Sequence, residues 1–124
     1  MSNKVYTKNA PDAIGPYSQA VISGNLVFTS GQIAIVPESG LVEATTIETQ
    51  AEQVCQNLKA VLEEADSSLS KAVKTTCFLA DMADFGKFNE VYGRYFTSKP
   101  ARSCVAAKQL PKNVLVEVEV IAEI

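Results

Sequence analysis

Hydrophobic residues change their spacing repeatedly along this chain of 124 residues, and that change limits the folds open to it. Residues 17–35 contain two extended apolar runs separated by a Ser-Gly-Asn turn at residues 23–25, which is a good hairpin signal. Residues 45–66 place apolar side chains at helical intervals on one stripe, and residues 82–96 do the same. Helices with one apolar face need a partner layer, so the pattern predicts a sheet covered by helices.

Three further segments are rich in β-branched residues or alternate between apolar and polar residues, which is typical of strands. They are residues 71–81, 102–107 and 114–123. The first helix is expected to open with a capping box from Thr45 to Glu48. The predicted order is β-β-α-β-α-β-β, an α+β fold with one sheet and both helices on one face. Residues 1–124 are predicted to form a single domain.

Composition narrows the classes of function. The net charge is −3 with no cluster of lysine or arginine, which weighs against nucleic acid or an anionic membrane as the main partner. No stretch approaches the roughly 20 apolar residues of a membrane span. Because the start lacks a signal-peptide pattern and the three cysteines lack CxxC spacing, we expect free thiols and a cytoplasmic location. Without histidine there is no Ser-His-Asp triad, Cys-His dyad or His-ligated metal.

Charged residues on the last two predicted strands are the unusual feature of the chain. Side chains alternate along a strand, so Glu117 and Glu119 lie on the face opposite a row of valines. If the loop at residues 108–113 joins these strands as a hairpin, symmetric pairing sets Cys104 opposite Glu117. Arg102 then lies opposite Glu119. We therefore expect Arg102, Cys104 and the glutamates to share the face away from the helices.

Two interpretations of this face compete. A cross-strand ion pair on a half-exposed sheet contributes little to stability and needs no function. Alternatively, Arg102 grips a carboxylate with two hydrogen bonds beside a glutamate that handles a proton or a water molecule. A face that mixes apolar and charged residues also suggests an interface between subunits, where a pocket could close.

The same segments resemble a known family. "PARSCVAAKQLPKNVLVEVE" is similar to the signature of the reactive intermediate deaminase A (RidA/YjgF) family. "NAPDAIGPYSQAV" and "FTSGQIAI" match its first hairpin, and "VKTTCFLADMADFGKFNEVY" matches its middle. The resemblance covers essentially the whole chain and rests on several ordered motifs. Within this family, the chain resembles the members that act as 2-iminobutanoate/2-iminopropanoate deaminases.

The resemblance implies a mixed sheet backed by two helices, as in trimeric chorismate mutase, and a homotrimer with clefts between subunits. It implies hydrolysis of enamines and imines such as 2-aminoacrylate, 2-iminopropanoate and 2-iminobutanoate to 2-oxo acids and ammonia. The substrate is then a small carboxylate, and no cofactor or metal is implied. A non-catalytic trimer that binds 2-oxo acids as a sensor is the alternative. RNA cleavage is disfavoured by the acidic balance and the missing histidine.

Carried over by motif, Arg102 would hold the substrate carboxylate and Glu117 would orient or activate the attacking water. Five further residues would line the cleft: Tyr17, Ser30, Gly31, Asn89 and Cys104. Each has a structural alternative. The Tyr17 ring could lie in the core, Ser30 and Gly31 could simply end a strand, and Asn89 could be an exposed helix residue. Cys104 could behave as a small hydrophobe, and Glu119 is interpreted as structural.

Overall fold

The computed structural model describes residues 2–124, which form one sheet of six strands and two α-helices. The strands are β1 Ser2–Val5, β2 Ala20–Ser23, β3 Leu26–Thr29, β4 Ala72–Leu79, β5 Ala101–Ala106 and β6 Val116–Glu123. The helices are α1 Ile47–Glu64 and α2 Phe85–Tyr95. Across the sheet the order is β1-β2-β3-β6-β4-β5. Only the β4–β5 pair is parallel, so the predicted α+β fold with a mixed sheet is confirmed.

The first hairpin forms where it was predicted. Ser23 pairs with Leu26 across a two-residue turn whose first residue, Gly24, has a φ of 63°. Glycine adopts this left-handed conformation without steric cost, which explains its place in the turn. Strand β1 was not predicted, because Ser-Asn-Lys-Val has no alternating pattern. It pairs with β2 at the edge of the sheet.

Helix α1 buries one stripe against the sheet, including Cys55, which was predicted to be a core residue. The helix starts one residue later than expected. Thr46 is the N-cap, and its side-chain oxygen accepts a hydrogen bond of 3.1 Å from the Thr49 N–H. The predicted capping box from Thr45 to Glu48 is therefore wrong by one residue. Because both threonines can cap, the sequence alone does not separate the two registers.

Helix α2 follows a short 3-10 turn at Met82–Asp84. Its inward stripe consists of Phe88, Val91 and Tyr92, all buried. The Tyr92 ring stacks on that of Phe96 with a centroid distance of 4.5 Å. Most of the predicted aromatic stripe is thus core, as the helical spacing indicated.

The central strand β6 carries the apolar row on which the helices rest. Val116, Val118, Val120 and Ala122 are all 2% exposed or less. The intervening side chains, among them Glu117, lie on the other side of the sheet. This division of β6 into a helix-covered face and an uncovered face was predicted.

Strand β5 does not form a hairpin with β6. It pairs in parallel with β4, so that Arg102 lies beside Thr75, and β4 separates it from β6. Residues 107–115 cross the end of β4, where the Ala107 N–H donates to the Leu79 carbonyl oxygen at 2.9 Å. Strand β4 is the more apolar of the two, with Cys77 and Leu79 fully buried, and it takes the central position.

This pairing reverses the predicted face of Arg102 and Cys104. Thr75 and Cys77, their partners on β4, are buried on the helix side, so Arg102 and Cys104 lie on that side too. The prediction that they share a face with the glutamates is wrong. It failed because a loop between consecutive strands was assumed to make them neighbours. The cross-strand ion pair with Glu119 is thereby excluded within one copy of the chain.

The uncovered face of the sheet mixes apolar and acidic side chains. Phe28 is 41% exposed and Val105 is 48% exposed, and Glu119 lies on the same face between them. Large side chains of this kind on a broad sheet face are typical of a surface that meets another protein.

Candidate functional site

Four of the predicted site residues line one cavity of about 460 Å³ on the uncovered side of the sheet. They are Tyr17, Ser30, Gly31 and Glu117. We call this space the Glu117 cavity. Strand β6 supplies the carboxyl group, and the segment after β3 runs beside β6, where Gln32 N donates a hydrogen bond of 2.8 Å to Val118 O. Residues distant in sequence therefore meet because one loop runs along the central strand.

Gly31 is the point of closest approach in this cavity. A Cβ atom on residue 31 would lie 2.8 Å from Glu117 Cδ and closer still to Glu117 Oε2. No real Cβ contact is that short, so any other residue would displace the carboxylate. The glycine is needed for space, and it allows the Glu117 carboxyl group to lie against the backbone.

The Glu117 carboxyl group is half-buried, and its pKa is raised above the usual value of 4.5. The larger cause is desolvation, which penalises the charged form, and the second is the negative charge of Glu119 two residues along the strand. A carboxyl group shifted in this direction exchanges protons nearer to neutral pH than an exposed one does.

Tyr17 and Ser30 both line the Glu117 cavity. Tyr17 is 54% exposed, so the alternative that it belongs to the core is wrong. Ser30 donates its hydroxyl hydrogen to the Ser18 carbonyl oxygen at 2.6 Å, which fixes the side chain and leaves its oxygen able to accept. Tyr17 therefore offers a phenol to a ligand, and Ser30 offers a hydroxyl oxygen held in place.

Arg102 lies in a second cavity, of about 360 Å³, on the helix side of the sheet, which we call the Arg102 cavity. Its guanidinium carbon is 4.8 Å from the Tyr92 ring centroid and 5.3 Å from that of Phe85. Arg102 Nη1 donates to Asn89 Oδ1 at 2.7 Å. The two rings and the amide hold the planar group in one orientation.

The charge of Arg102 is not balanced by a carboxylate among residues 2–124. Among residues 2–124 the only ion pair joins Arg94 to Glu52, and it lies on the helix surface. A guanidinium has five N–H donors, and Asn89 takes up one nitrogen, so donors remain for a ligand. The Arg102 cavity is therefore suited to a carboxylate, which a guanidinium can bind through two parallel hydrogen bonds.

Asn89 and Cys104 accompany Arg102 rather than Glu117. Asn89 is half-buried and holds the guanidinium, so it is not a freely exposed helix residue. Cys104 follows Arg102 by two positions on the same side of β5 and pairs with Cys77. Desolvation raises the pKa of the Cys104 thiol, although the positive charge of Arg102 opposes this shift. A thiol with a raised pKa is a poor nucleophile, which favours a packing role.

The predicted residues thus fall into two groups that one copy of the chain does not unite. Arg102, Asn89 and Cys104 lie on the helix side of the sheet, and the Glu117 cavity opens on the other side. A larger open groove of about 610 Å³ along α1 contains none of them.

Several residues that line these cavities or contact Arg102 were not singled out from the sequence as site residues. Phe85 and Tyr92 belong to the aromatic stripe of α2, which was interpreted only as core, yet their rings flank Arg102. The apolar residues Ile14 and Ile33 line the Glu117 cavity together with Ser30 and Gly31. No local pattern marks such residues, because their role depends on long-range packing. Ile14 is 77% exposed on a loop, which becomes noticeable only in the folded chain.

Within residues 2–124 no three cysteine, aspartate or glutamate side chains converge as a metal site. In the same part of the chain, neither helix has the length and apolar character needed to cross a bilayer.

Comparison with known proteins assigns the family. The family model described as endoribonuclease L-PSP matches residues 7–124. The chain belongs to this family. A putative endoribonuclease from Thermotoga maritima has the same fold as this L-PSP family protein, with a TM-score of 0.97 and 53% sequence identity. The match covers 100% of this chain and 98% of the Thermotoga chain. The YjgF gene product of E. coli matches with a TM-score of 0.93 and 43% identity, covering 98% of each chain. The resemblance to the RidA/YjgF family is thereby confirmed.

Other relatives of this L-PSP family protein carry different names. The putative regulator AldR of Lactococcus lactis is 49% identical over 121 residues, covering 97% of this chain and 96% of the relative. E. coli TdcF, solved with bound serine, matches with a TM-score of 0.93 and 40% identity, covering 98% of each chain. Members of the family thus share a fold but carry names as different as endoribonuclease and regulator.

Proposed function

We propose that this chain is a cofactor-independent deaminase that hydrolyses 2-imino acids, and the enamines in equilibrium with them, to 2-oxo acids and ammonia. The observation that carries the proposal is the unbalanced guanidinium of Arg102, which is held rigidly and lacks a carboxylate partner among residues 2–124. A small substrate with one carboxylate supplies that missing partner. The half-buried Glu117 carboxyl group then supplies the second group that hydrolysis needs.

In the proposed reaction, Arg102 binds the substrate carboxylate and Glu117 binds a water molecule. The water oxygen bonds to the imine carbon, and the carbon–nitrogen bond breaks after proton transfer to nitrogen. A protonated imine and one water molecule thus give a 2-oxo acid and ammonium. Glu117, with its pKa shifted toward neutrality, accepts a proton from water and returns it to the departing nitrogen. An imine is already electrophilic, so positioning supplies much of the remaining catalysis.

The proposal requires a second copy of the chain, because Arg102 and Glu117 lie on opposite faces of one sheet. We propose a homotrimer in which the uncovered face of one copy meets the β5 side of the next. Exposed Phe28 and Val105 favour such an assembly, since they would be removed from water in it. Each cleft would then combine the Glu117 cavity of one copy with the Arg102 cavity of its neighbour. The cytoplasmic location predicted from the free cysteines remains part of the proposal.

A coupled assay tests the activity. A dehydratase generates 2-iminobutanoate from threonine, and release of 2-oxobutanoate is followed with wild type, with Glu117→Gln and without added protein. We expect wild type to accelerate release. We expect Glu117→Gln to lose about 100-fold or more, the usual scale for a missing general base. Calorimetry with 2-oxobutanoate is run on the same preparations. Retained binding with lost turnover supports the role of Glu117, and equal turnover in both proteins would refute it.

A second candidate is a trimer that binds 2-oxo acids or related carboxylates without converting them. Arg102 would serve such a sensor equally well, and one relative is described as a putative regulator. If wild type binds 2-oxobutanoate but does not accelerate its formation in the coupled assay, the sensor function is favoured. RNA cleavage, suggested by the family description, is weakened by the net charge of −3 and the absence of histidine.

A further inference from the structure

Gln19 is buried between the two walls of the Glu117 cavity, yet it carries none of the proposed chemistry. One wall is the loop with Ile14 and Tyr17, and the other contains Ser30 and Gly31. We infer that Gln19 is the positioning residue of this cavity and sets the spacing between the two walls. The inference rests on the proposed function only in treating the cavity as a binding site for 2-oxo and 2-imino acids.

The side chain of Gln19 holds the first wall. Its Oε1 accepts a hydrogen bond of 2.7 Å from the Thr7 N–H. Its Nε2 lies 3.0 Å from the Thr7 carbonyl oxygen and 2.8 Å from that of Pro11, with the Ala10 carbonyl oxygen at 3.4 Å. The side chain is part of a residue only 2% exposed, so water does not compete for these bonds.

The main chain of Gln19 holds the second wall. Its carbonyl oxygen accepts a hydrogen bond of 2.9 Å from the Ser30 N–H. The preceding carbonyl, of Ser18, accepts from the Ser30 hydroxyl at 2.6 Å. One residue therefore bonds to both walls, through its side chain on one side and its backbone on the other.

The first wall depends on this clamp because it has little regular structure of its own. Residues 6–19 lie between β1 and β2 and form turns and irregular backbone. Only an amide fits the site, since a single planar group must accept from one N–H and donate to carbonyl oxygens. A glutamate would direct an oxygen at those carbonyls, and a methionine of similar length would leave them without a donor.

The test compares wild type with Gln19→Met, Gln19→Glu and the control Val61→Ala. Val61 is fully buried in α1 and does not line the cavity, so Val61→Ala lowers stability without touching the clamp. Hydrogen exchange is measured on peptides from residues 7–14, and calorimetry measures affinity for 2-oxobutanoate. In both Gln19 variants we expect exchange in 7–14 to accelerate and affinity to fall by about tenfold or more, since several buried hydrogen bonds are lost. In the control, affinity stays at the wild-type value.

The outcomes separate this inference from the deaminase proposal. Unchanged exchange in residues 7–14 overturns the clamp, and faster exchange with unchanged affinity overturns the positioning role. An equal loss of affinity in Val61→Ala also overturns it, because general destabilisation would then explain the effect. If wild type binds 2-oxobutanoate but hydrolyses no imine, the deaminase proposal fails, and weaker binding in the Gln19 variants still supports positioning.

Discussion

Arg102 is held in place by aromatic rings and an amide rather than by an opposite charge. The guanidinium lies against the rings of Tyr92 and Phe85, and the hydrogen bond to Asn89 restrains it further. Lysine keeps the positive charge at such a position but has neither the plane that stacks nor the paired donors that match a carboxylate. The geometry, more than the charge, distinguishes this cation from the exposed ones.

We therefore expect Arg102→Lys to lose most of the activity measured in the coupled assay and to weaken 2-oxobutanoate binding by about tenfold or more. Arg94→Lys is the matched control. Arg94 is an exposed helix residue paired with Glu52, so its replacement is expected to leave both measurements unchanged. Wild-type turnover in Arg102→Lys would assign Arg102 a purely structural role.

Gly31 offers a test of the close contact with Glu117. Gly31→Ala is expected to displace the flexible end of Glu117, which reduces turnover strongly and lowers the unfolding temperature only slightly. Gly86→Ala is the control, since nothing lies within 4 Å of a Cβ there, and alanine in a helix is expected to stabilise slightly. When Glu117 is also replaced by alanine, the Cβ atom of residue 31 no longer meets a carboxyl group. Most of the stability cost of Gly31→Ala should then disappear. A full cost in that background would contradict the contact.

The raised pKa of Glu117 predicts a specific dependence of stability on pH. The folded chain holds this proton more tightly than the unfolded chain, so Glu117 lowers stability as pH rises from about 4.5 through its raised folded-state pKa. Glu117→Gln removes that effect. We expect the variant to melt at a higher temperature than wild type at pH 7 and at the same temperature below about pH 4. Calorimetric melting at both pH values checks this, and a variant less stable at pH 7 would contradict it.

At the scale of elements, the start of α1 differs from the prediction by one residue, and this difference can be tested directly. Thr46→Ala is expected to cost about 1 kcal/mol of unfolding free energy, because the Thr49 N–H loses its acceptor. Thr45→Ala, the residue favoured by the sequence pattern, is expected to cost much less. Urea denaturation of the two variants measures the difference. A larger loss in Thr45→Ala would restore the predicted cap.

Elements set by local patterns could be predicted from the sequence, and pairings between distant segments could not. The Gly24 turn and the stripe of α1 follow from residues close in sequence. The parallel pairing of β4 with β5 depends on which strand buries more apolar surface, and no local signal records it. The predicted face of Arg102 was consequently wrong. Alternation along a strand shows which of its residues share a side, but only the pairing with other strands decides which side of the sheet that is.

The candidate site was predictable to a similar degree. Tyr17, Ser30, Gly31 and Glu117 were proposed together on the strength of the family resemblance, and the chain brings them to one cavity. Pattern alone would not have found the pair of walls, because Tyr17 and Glu117 are a hundred positions apart. The contribution of Gln19 was equally hidden, since a buried amide has no periodic signature. Its partners, Thr7 and Pro11, are known only from the folded loop.

For the whole molecule, the separation of Arg102 from Glu117 predicts that inactive variants will complement each other. Arg102→Lys and Glu117→Gln are unfolded together in equal amounts and allowed to reassemble. If each cleft takes one residue from each of two copies, about a quarter of the clefts will carry both native groups. We expect roughly that fraction of wild-type activity to return. No recovery, or a monomer in light scattering at micromolar concentration, would exclude a shared site.

The parallel pairing of β4 with β5 also bears on how such a chain can change over generations. It puts Arg102 and Glu117 on opposite sides of a rigid sheet, so no rearrangement short of unfolding can join them in one copy. Under the proposed assembly, a lineage that loses the contact between copies loses its chemistry in the same step. Selection for assembly and selection for activity then both act on mutations of the uncovered face. Gene duplication followed by mixed assembly is the route by which the two cavities could diversify independently.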